Sequence, residues 1–238
     1  MEPLSWTEVM GRLMPRLCLL CESACGCAPL CPPCSAFLPG SQRLRCETCA
    51  RPWNTSARCA TCRLAPPAYE ATRAAADYCA PLDRALTSLK FSGQIGLASG
   101  LGALLADAWL KSVPAVGPMH WIVPVPLSSA RLAERGFNQA SLIAASMLKS
   151  LRGQPGLPAL RPSLLTRQRN TLPQSLLTWK ARQGNVDHGF VAAPRLDGLC
   201  IGVVDDVMTT GATLQAAAVA LKSAGAATVV NLVVARTA

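Results

Sequence analysis

The chain has 238 residues, half of them hydrophobic and 15% charged, with a formal net charge of +10. That length suits one sizeable core or two unequal domains, and that apolar share excludes a disordered chain. The stretch Ser112–Ala130 lacks Lys, Arg, Asp and Glu but contains Pro114, Pro118, Pro124 and Pro126, which exclude a spanning helix; no signal pattern precedes Cys18, so the expected location is cytoplasmic.

Residues 1–66 are expected to form a first domain, an N-terminal helix followed by a double zinc ribbon. Ten of the twelve cysteines lie between Cys18 and Cys62. Cys18-x-x-Cys21 is followed after nine residues by Cys31-x-x-Cys34, and Cys46-x-x-Cys49 after nine residues by Cys59-x-x-Cys62, an offset of 28 between the two sets. An internal duplication accounts for this. Two Cys-x-x-Cys pairs complete the tetrahedral shell of one structural zinc, so two Zn²⁺ ions are expected. Disulfides are the competing reading, disfavoured by a cytosolic location and by the knuckle spacing. Sequential pairing costs least in closure entropy, while a crossed set of Cys18/Cys21 with Cys46/Cys49 stays open. Cys25 and Cys27 are surplus. Cys79 and Cys200 lie in apolar segments and are expected to pack in the core.

Pro66-Pro67 marks a break, and residues 67–238 are expected to form the second domain. A strand is predicted within Tyr69–Tyr78, a helix over Pro81–Phe91, and a buried helix over Ile95–Lys111. Trp121–Pro126 predicts a second strand, confined by its prolines to a sheet margin or ended early. A polar loop with Ser128, Ser129 and Arg131 follows, then Gly136-Phe137-Asn138, where Asn138 suits a helix cap, then a helix to about Ser150. Between Leu157 and Val186 stand Arg161, Arg167, Arg169, Lys180 and Arg182 with no acid. That run suits pyrophosphate, a nucleic-acid backbone, or a solvated face. His120 and His188 have no partner at ligand or triad spacing, so core or surface roles are expected.

The most informative stretch is Val203–Leu214, Val-Val-Asp-Asp-Val-Met-Thr-Thr-Gly-Ala-Thr-Leu. Leu199–Val204 reads as a buried parallel strand. Leu214–Ala224 reads as a helix closed by Gly225, and Thr228–Ala235 as the last strand. The loop between them sits where a parallel sheet binds ligands, at a strand's C-terminal end and a helix's N-terminus. Thr209, Thr210, Gly211, Ala212 and Thr213 offer N–H groups and hydroxyls to a phosphate. Asp205 and Asp206 repel phosphate but accept hydrogen bonds from sugar hydroxyls. A ribose 5-phosphate is the expected ligand, against the simpler reading of an Asp-rich turn and a Thr cap.

This stretch resembles the signature of type I phosphoribosyltransferases, which bind 5-phosphoribosyl 1-pyrophosphate (PRPP). The resemblance implies an α/β fold, a parallel sheet flanked by helices. Val123-Pro124-Val125-Pro126-Leu127, Arg131 and Arg135-Gly136-Phe137-Asn138-Gln139-Ala140 narrow the match. With the Cys-x-x-Cys pairs in front, the chain resembles the ComF family, including its GntX branch; Lys90-Phe91 also matches a block of that family. The resemblance implies that Asp205 and Asp206 meet the ribose, with Arg131 as a further catalytic candidate. It places Ser128 and Ser129 at the pyrophosphate and a closing lid at Arg167–Lys180. Mg²⁺ is expected with PRPP, because pyrophosphate chelates a hard cation. No acceptor site is legible. Three functions follow: a PRPP-dependent transferase, a non-catalytic single-stranded-DNA module acting with DNA-uptake proteins in natural transformation, or a PRPP sensor.

Overall fold

The computed structural model describes residues 17–25, 30–55, 57–111, 118–167 and 189–237. The expected N-terminal helix and the positions Cys27, Arg169, Lys180, Arg182 and His188 lie outside them, as does most of the expected lid. The cysteine-rich segment carries two one-turn helices, α1 (Pro32–Ala36) and α2 (Ala60–Leu64). Then come β1 (Ala71–Asp77), α3 (Leu82–Phe91), α4 (Leu97–Leu110), β2 (Trp121–Pro124), α5 (Ser129–Arg135), α6 (Gln139–Ser150) and β3 (Ala159–Leu160). A 3₁₀ turn, Pro162–Leu164, leads into β4 (Leu165–Arg167), and β5 (Phe190–Ala192), β6 (Cys200–Met208), α7 (Ala212–Ser223) and β7 (Thr228–Arg236) complete the order.

Five strands form one sheet in the order β1-β7-β6-β2-β3, and every pairing is parallel. This is the fold class expected, an α/β sheet flanked by helices. The central strands β6 and β7 are apolar on both faces because both are covered, as buried parallel strands are. On one face Leu82, Leu86 and Leu89 of α3, Leu101 and Leu105 of α4, and Ile143 and Met147 of α6 pack against Val204, Val230, Leu232 and Val234. On the other, Leu214, Ala217, Ala218 and Leu221 of α7 cover Ile201, Val203, Val229 and Val233.

β2 ends early, at Pro124, one of the two outcomes expected of its prolines; it is interior, since β6 and β3 pair with it on either side, and β3 pairs only with Trp121 and Ile122, short of the prolines. One strand expectation changes. β6 runs on through both acids to Met208 because β7 continues beside it, with Asp205 opposite Val233 and Met208 opposite Arg236. Cys200 is buried as expected, whereas Cys79 is exposed, in the turn after β1 rather than in the core.

The cysteine-rich segment closes the open side of β1. β1 pairs with β7 on one side; on the other, the N–H of Thr72 donates to the Glu47 carbonyl at 3.2 Å and that of Asp77 to the Pro39 carbonyl at 2.8 Å. Covering an edge in this way removes a template for unwanted strand pairing. Arg45 adds a tether, its Nη2 2.7 Å from Asp77 Oδ1 and its Nη1 3.0 Å from the Ala50 carbonyl. The two halves of the segment also divide between the faces of the sheet. Cys18, Leu30, Cys31 and Leu38 join the α4/α6 core, and Cys46, Cys49, Cys59 and Cys62 join the α7 core.

Candidate functional site

The eight cysteines gather as two groups, Cys18/Cys21/Cys31/Cys34 and Cys46/Cys49/Cys59/Cys62, with the sulfurs of each within 4.8 Å of one another. Pairing is therefore sequential. Cys21 and Cys31 Sγ are 3.6 Å apart and Cys49 and Cys59 Sγ 3.8 Å, close to the roughly 3.8 Å edge of a tetrahedron with ~2.3 Å Zn–S bonds and far from the ~2.05 Å of a disulfide. Each group can hold a zinc ion. Cys25 stands outside both groups.

The duplication extends to the backbone. Bridges Leu17–Ala24 and Arg45–Pro52 recur at the sequence offset, as do the N–H to sulfur bonds Cys31 to Cys18 (3.4 Å) and Cys59 to Cys46 (3.2 Å). Glu22 and Ala50, each just after a second knuckle cysteine, both take positive φ, 61° and 54°. Burial pushes the Cys18 thiol up, but N–H groups of Cys31, Leu20 and Cys21 outweigh it and bring it down to about 6. At Cys46 burial is likewise outweighed, by N–H groups of Cys49, Cys59 and Thr48, and the group falls to about 7. Cys34 and Cys62 are raised by burial and by their fellow cysteines. Crowded thiols split in this way suit a divalent cation, which takes them as thiolates.

The second site lies at the C-terminal end of β6. Asp205, Val207 and residues 208–214 line an open depression of about 220 Å³. Gly211 caps α7 with φ 87°, a left-handed conformation that favours glycine at this turn. The Thr210 hydroxyl accepts from the Ala212 N–H at 3.3 Å. The first N–H groups of α7 open on the depression, where orphan donors and the helix dipole favour an anion.

Strand alternation separates the two acids. Asp205 lines the depression, half-buried. Burial and the neighbouring Asp206 charge raise its carboxyl to about 8, against the opposing pull of the Asp206 N–H and of Lys90. Asp206 is buried on the α3 face, its Oδ2 2.7 Å from Lys90 Nζ and its Oδ1 accepting from the Val207 N–H at 2.7 Å. The ion pair gives Lys90, known from sequence only as part of a two-residue block, a place at the site.

The loop after β2 is set by Asn138. Its Oδ1 accepts from the Ala140 and Ser141 N–H groups at 2.9 and 3.3 Å, capping α6 as expected, and its Nδ2 donates to the Val125 carbonyl at 3.0 Å. Ser128 caps α5 by accepting from the Arg131 N–H at 3.3 Å, and the Arg131 side chain is exposed. Ser129 begins the same helix. His120 is structural: its Nδ1 accepts from the Cys200 N–H at 3.0 Å. Of the basic segment, Arg161 lies over Trp121 and Arg167 over Phe190, 5.5 and 5.3 Å from the ring centroids. The antiparallel pair β4–β5 brackets residues 168–188.

Sequence reading missed Arg236. The predicted strand stopped one residue short of it, yet Arg236 is 1% exposed, and its Nη1 donates to the carbonyls of Met208 (3.2 Å) and Thr209 (2.6 Å). The available signal was an arginine ending an otherwise apolar strand, where burial demands a set of acceptors.

Together these features define a parallel α/β protein with a glycine-capped loop at a strand's C-terminal end and a fused pair of Cys₄ groups. No family model matches the chain. It is 34% identical over 221 residues to the DNA utilization protein YhgH of Escherichia coli O157:H7, covering 91% of this chain and 95% of that one. It is also similar to competence protein F of Haemophilus influenzae, 28% identical over 70% and 73% of the two chains, and to competence protein ComFC of Bacillus subtilis, 26% over 78% and 75%. The chain belongs to the family of these proteins, the ComF family that its motifs resemble. No helix among the described residues is long and apolar enough to cross a membrane.

Proposed function

We propose that the chain serves DNA utilization, the role that the name of its YhgH relative gives that protein, by holding a ribose 5-phosphate unit at the end of β6. One observation supports this most: an acid and a glycine-capped helix N-terminus face the same depression, one suited to sugar hydroxyls and the other to phosphate. PRPP is one carrier of that unit; the 5′-phosphorylated end of single-stranded DNA offers the loop the same phosphate on a 2-deoxyribose, without the free hydroxyls that the acid would meet. In the PRPP reading residues 209–213 hold the 5-phosphate, Asp205 serves the ribose while Asp206, paired with Lys90 on the other face of β6, stands behind it, and Ser128, Ser129 and Arg131 serve the pyrophosphate, which would bring Mg²⁺ with it. A transferase would then work by positioning and charge stabilisation.

Calorimetric titration tests this, with PRPP and Mg²⁺, ribose 5-phosphate, and matched oligonucleotides bearing 5′-phosphate or 5′-hydroxyl ends. At pH 9, above the raised Asp205 value, binding of PRPP or ribose 5-phosphate that weakens roughly tenfold or more in Asp205→Asn, the loss expected for a charge-assisted hydrogen bond, supports the site. Equal binding by parent and variant removes it. Pyrophosphate release across an acceptor screen separates a transferase from a sensor. A preference for the 5′-phosphate oligonucleotide that fades with salt favours the DNA-binding module.

A further inference from the structure

Arg236 touches more than the loop. Its Nε donates to the carbonyl of Cys49 at 2.9 Å, while its Nη1 reaches Met208, Thr209 and Thr237. One buried guanidinium thus joins a ligand knuckle of the second cysteine group to the first residues of the phosphate loop. The planar fork fixes the directions of these bonds together, which a flexible ammonium would not do. Two further contacts follow the same route. Tyr69, buried in the core that contains Cys46, Cys49, Cys59 and Cys62, puts its hydroxyl 3.4 Å from where a Gly211 Cβ would stand. The Ala68 N–H, just after the second group, donates to Gln215 Oε1 on α7 at 2.8 Å. The first group packs into the opposite core, with Leu19 against Gly100 of α4.

We infer that Arg236 is a positioning residue that clamps the phosphate loop to the second cysteine group, so that metal occupancy at Cys46/Cys49/Cys59/Cys62 and ligand binding at 209–213 favour one another, while the first group is not coupled to the loop. The ligand half rests on the proposed ribose 5-phosphate site; the clamp itself does not. Buried guanidinium N–H groups must keep their acceptors. If the Cys49 carbonyl wanders when its knuckle opens, the guanidinium loses a fixed partner and the loop loses its template. Linkage makes the coupling reciprocal: a bound phosphate holds the zinc as firmly as the zinc favours the phosphate.

Amide hydrogen exchange on the full zinc-loaded chain tests the clamp without any ligand. In Cys59→Ser, peptides covering 208–214 are expected to exchange about tenfold faster than in the parent, a coupling within the usual allosteric range; in Cys31→Ser they keep the parent rate. Arg236→Lys, which retains both zinc ions, is expected to match Cys59→Ser at the loop. Unchanged loop exchange in Cys59→Ser, or an equal rise in Cys31→Ser, overturns the inference, whether or not Arg236→Lys folds. On the parent, 10-fold excess ribose 5-phosphate should slow the release of one of the two zinc ions to a chromophoric chelator and leave the other unchanged. If the parent does not bind ribose 5-phosphate, the site reading fails while the exchange result still decides the clamp.

Discussion

At the end of β6 the pleat turns Asp206 toward α3, where Lys90 meets it in a pocket that leaves the carboxylate 5% exposed. A carboxylate buried there is stable only while its cation remains. Lys90→Met strands the charge, and because Lys90 is itself 22% exposed the cost should be about 2 kcal/mol, below the roughly 3–5 of a wholly buried pair. The urea midpoint measures it, and the double variant with Asp206→Asn should recover most of the loss. Among the described residues no cation stands at contact distance from Asp205, and its carboxyl is raised to about 8. The native state therefore holds a proton that the unfolded chain releases near the ordinary carboxylate value. Stability contributed by this proton is full below that ordinary value and is lost as pH rises through about 8. Asp205→Asn removes the loss, so its urea midpoint should exceed the parent's at pH 8 and approach it at pH 4. A gap that is constant with pH would show that Asp205 titrates normally.

Elements pack here through small residues as much as large ones. Gly102 on α4 lies against α6 so closely that a Cβ would stand 2.5 Å from Ser146 Cβ and 2.6 Å from the Met147 nitrogen. The obstruction includes backbone, so Gly102→Ala must push the helices apart, at a cost of about 1–3 kcal/mol; thermal denaturation followed at 222 nm measures it, and no gain in helix propensity should offset it. Such contacts also explain what the sequence does and does not disclose. The three longest helices, the Asn138 cap and the turn at Gly211 were legible because each rests on local chemistry: apolar spacing, an Asx cap, a positive φ that favours glycine. The extension of β6 through its acids was not, because the pairing that holds it comes from β7 and not from its own residues. The interior position of β2 was hidden for the same reason, its prolines falling just beyond a short partner. Lys90 and Arg236 are single charges whose partners stand far along the chain, so the ion pair and the clamp exist only in three dimensions.

For the molecule as a whole, the duplicated cysteine segment is a pair of wedges on either side of one sheet edge. Its first half completes the α4/α6 core and its second half the α7 core, so among the described residues each half is buried against the sheet's own core. Structural zinc contributes on the order of 10 kcal/mol to a Cys₄ knuckle, comparable with the roughly 5–15 kcal/mol that holds a whole domain together. Removing the metal should therefore reach well beyond residues 18–62. The zinc-loaded chain is expected to melt in one transition, and a strong chelator should lower the midpoint of the whole helical signal by many degrees rather than abolish a separate early step. Recorded at 222 nm, the part of that signal from the described residues comes chiefly from α3 to α7, since α1 and α2 are single turns. An unmoved main transition after complete zinc removal would show that the sheet stands without its wedges. A shifted one makes zinc supply a condition for the fold of the loop at 209–213, and so for any phosphate that binds there.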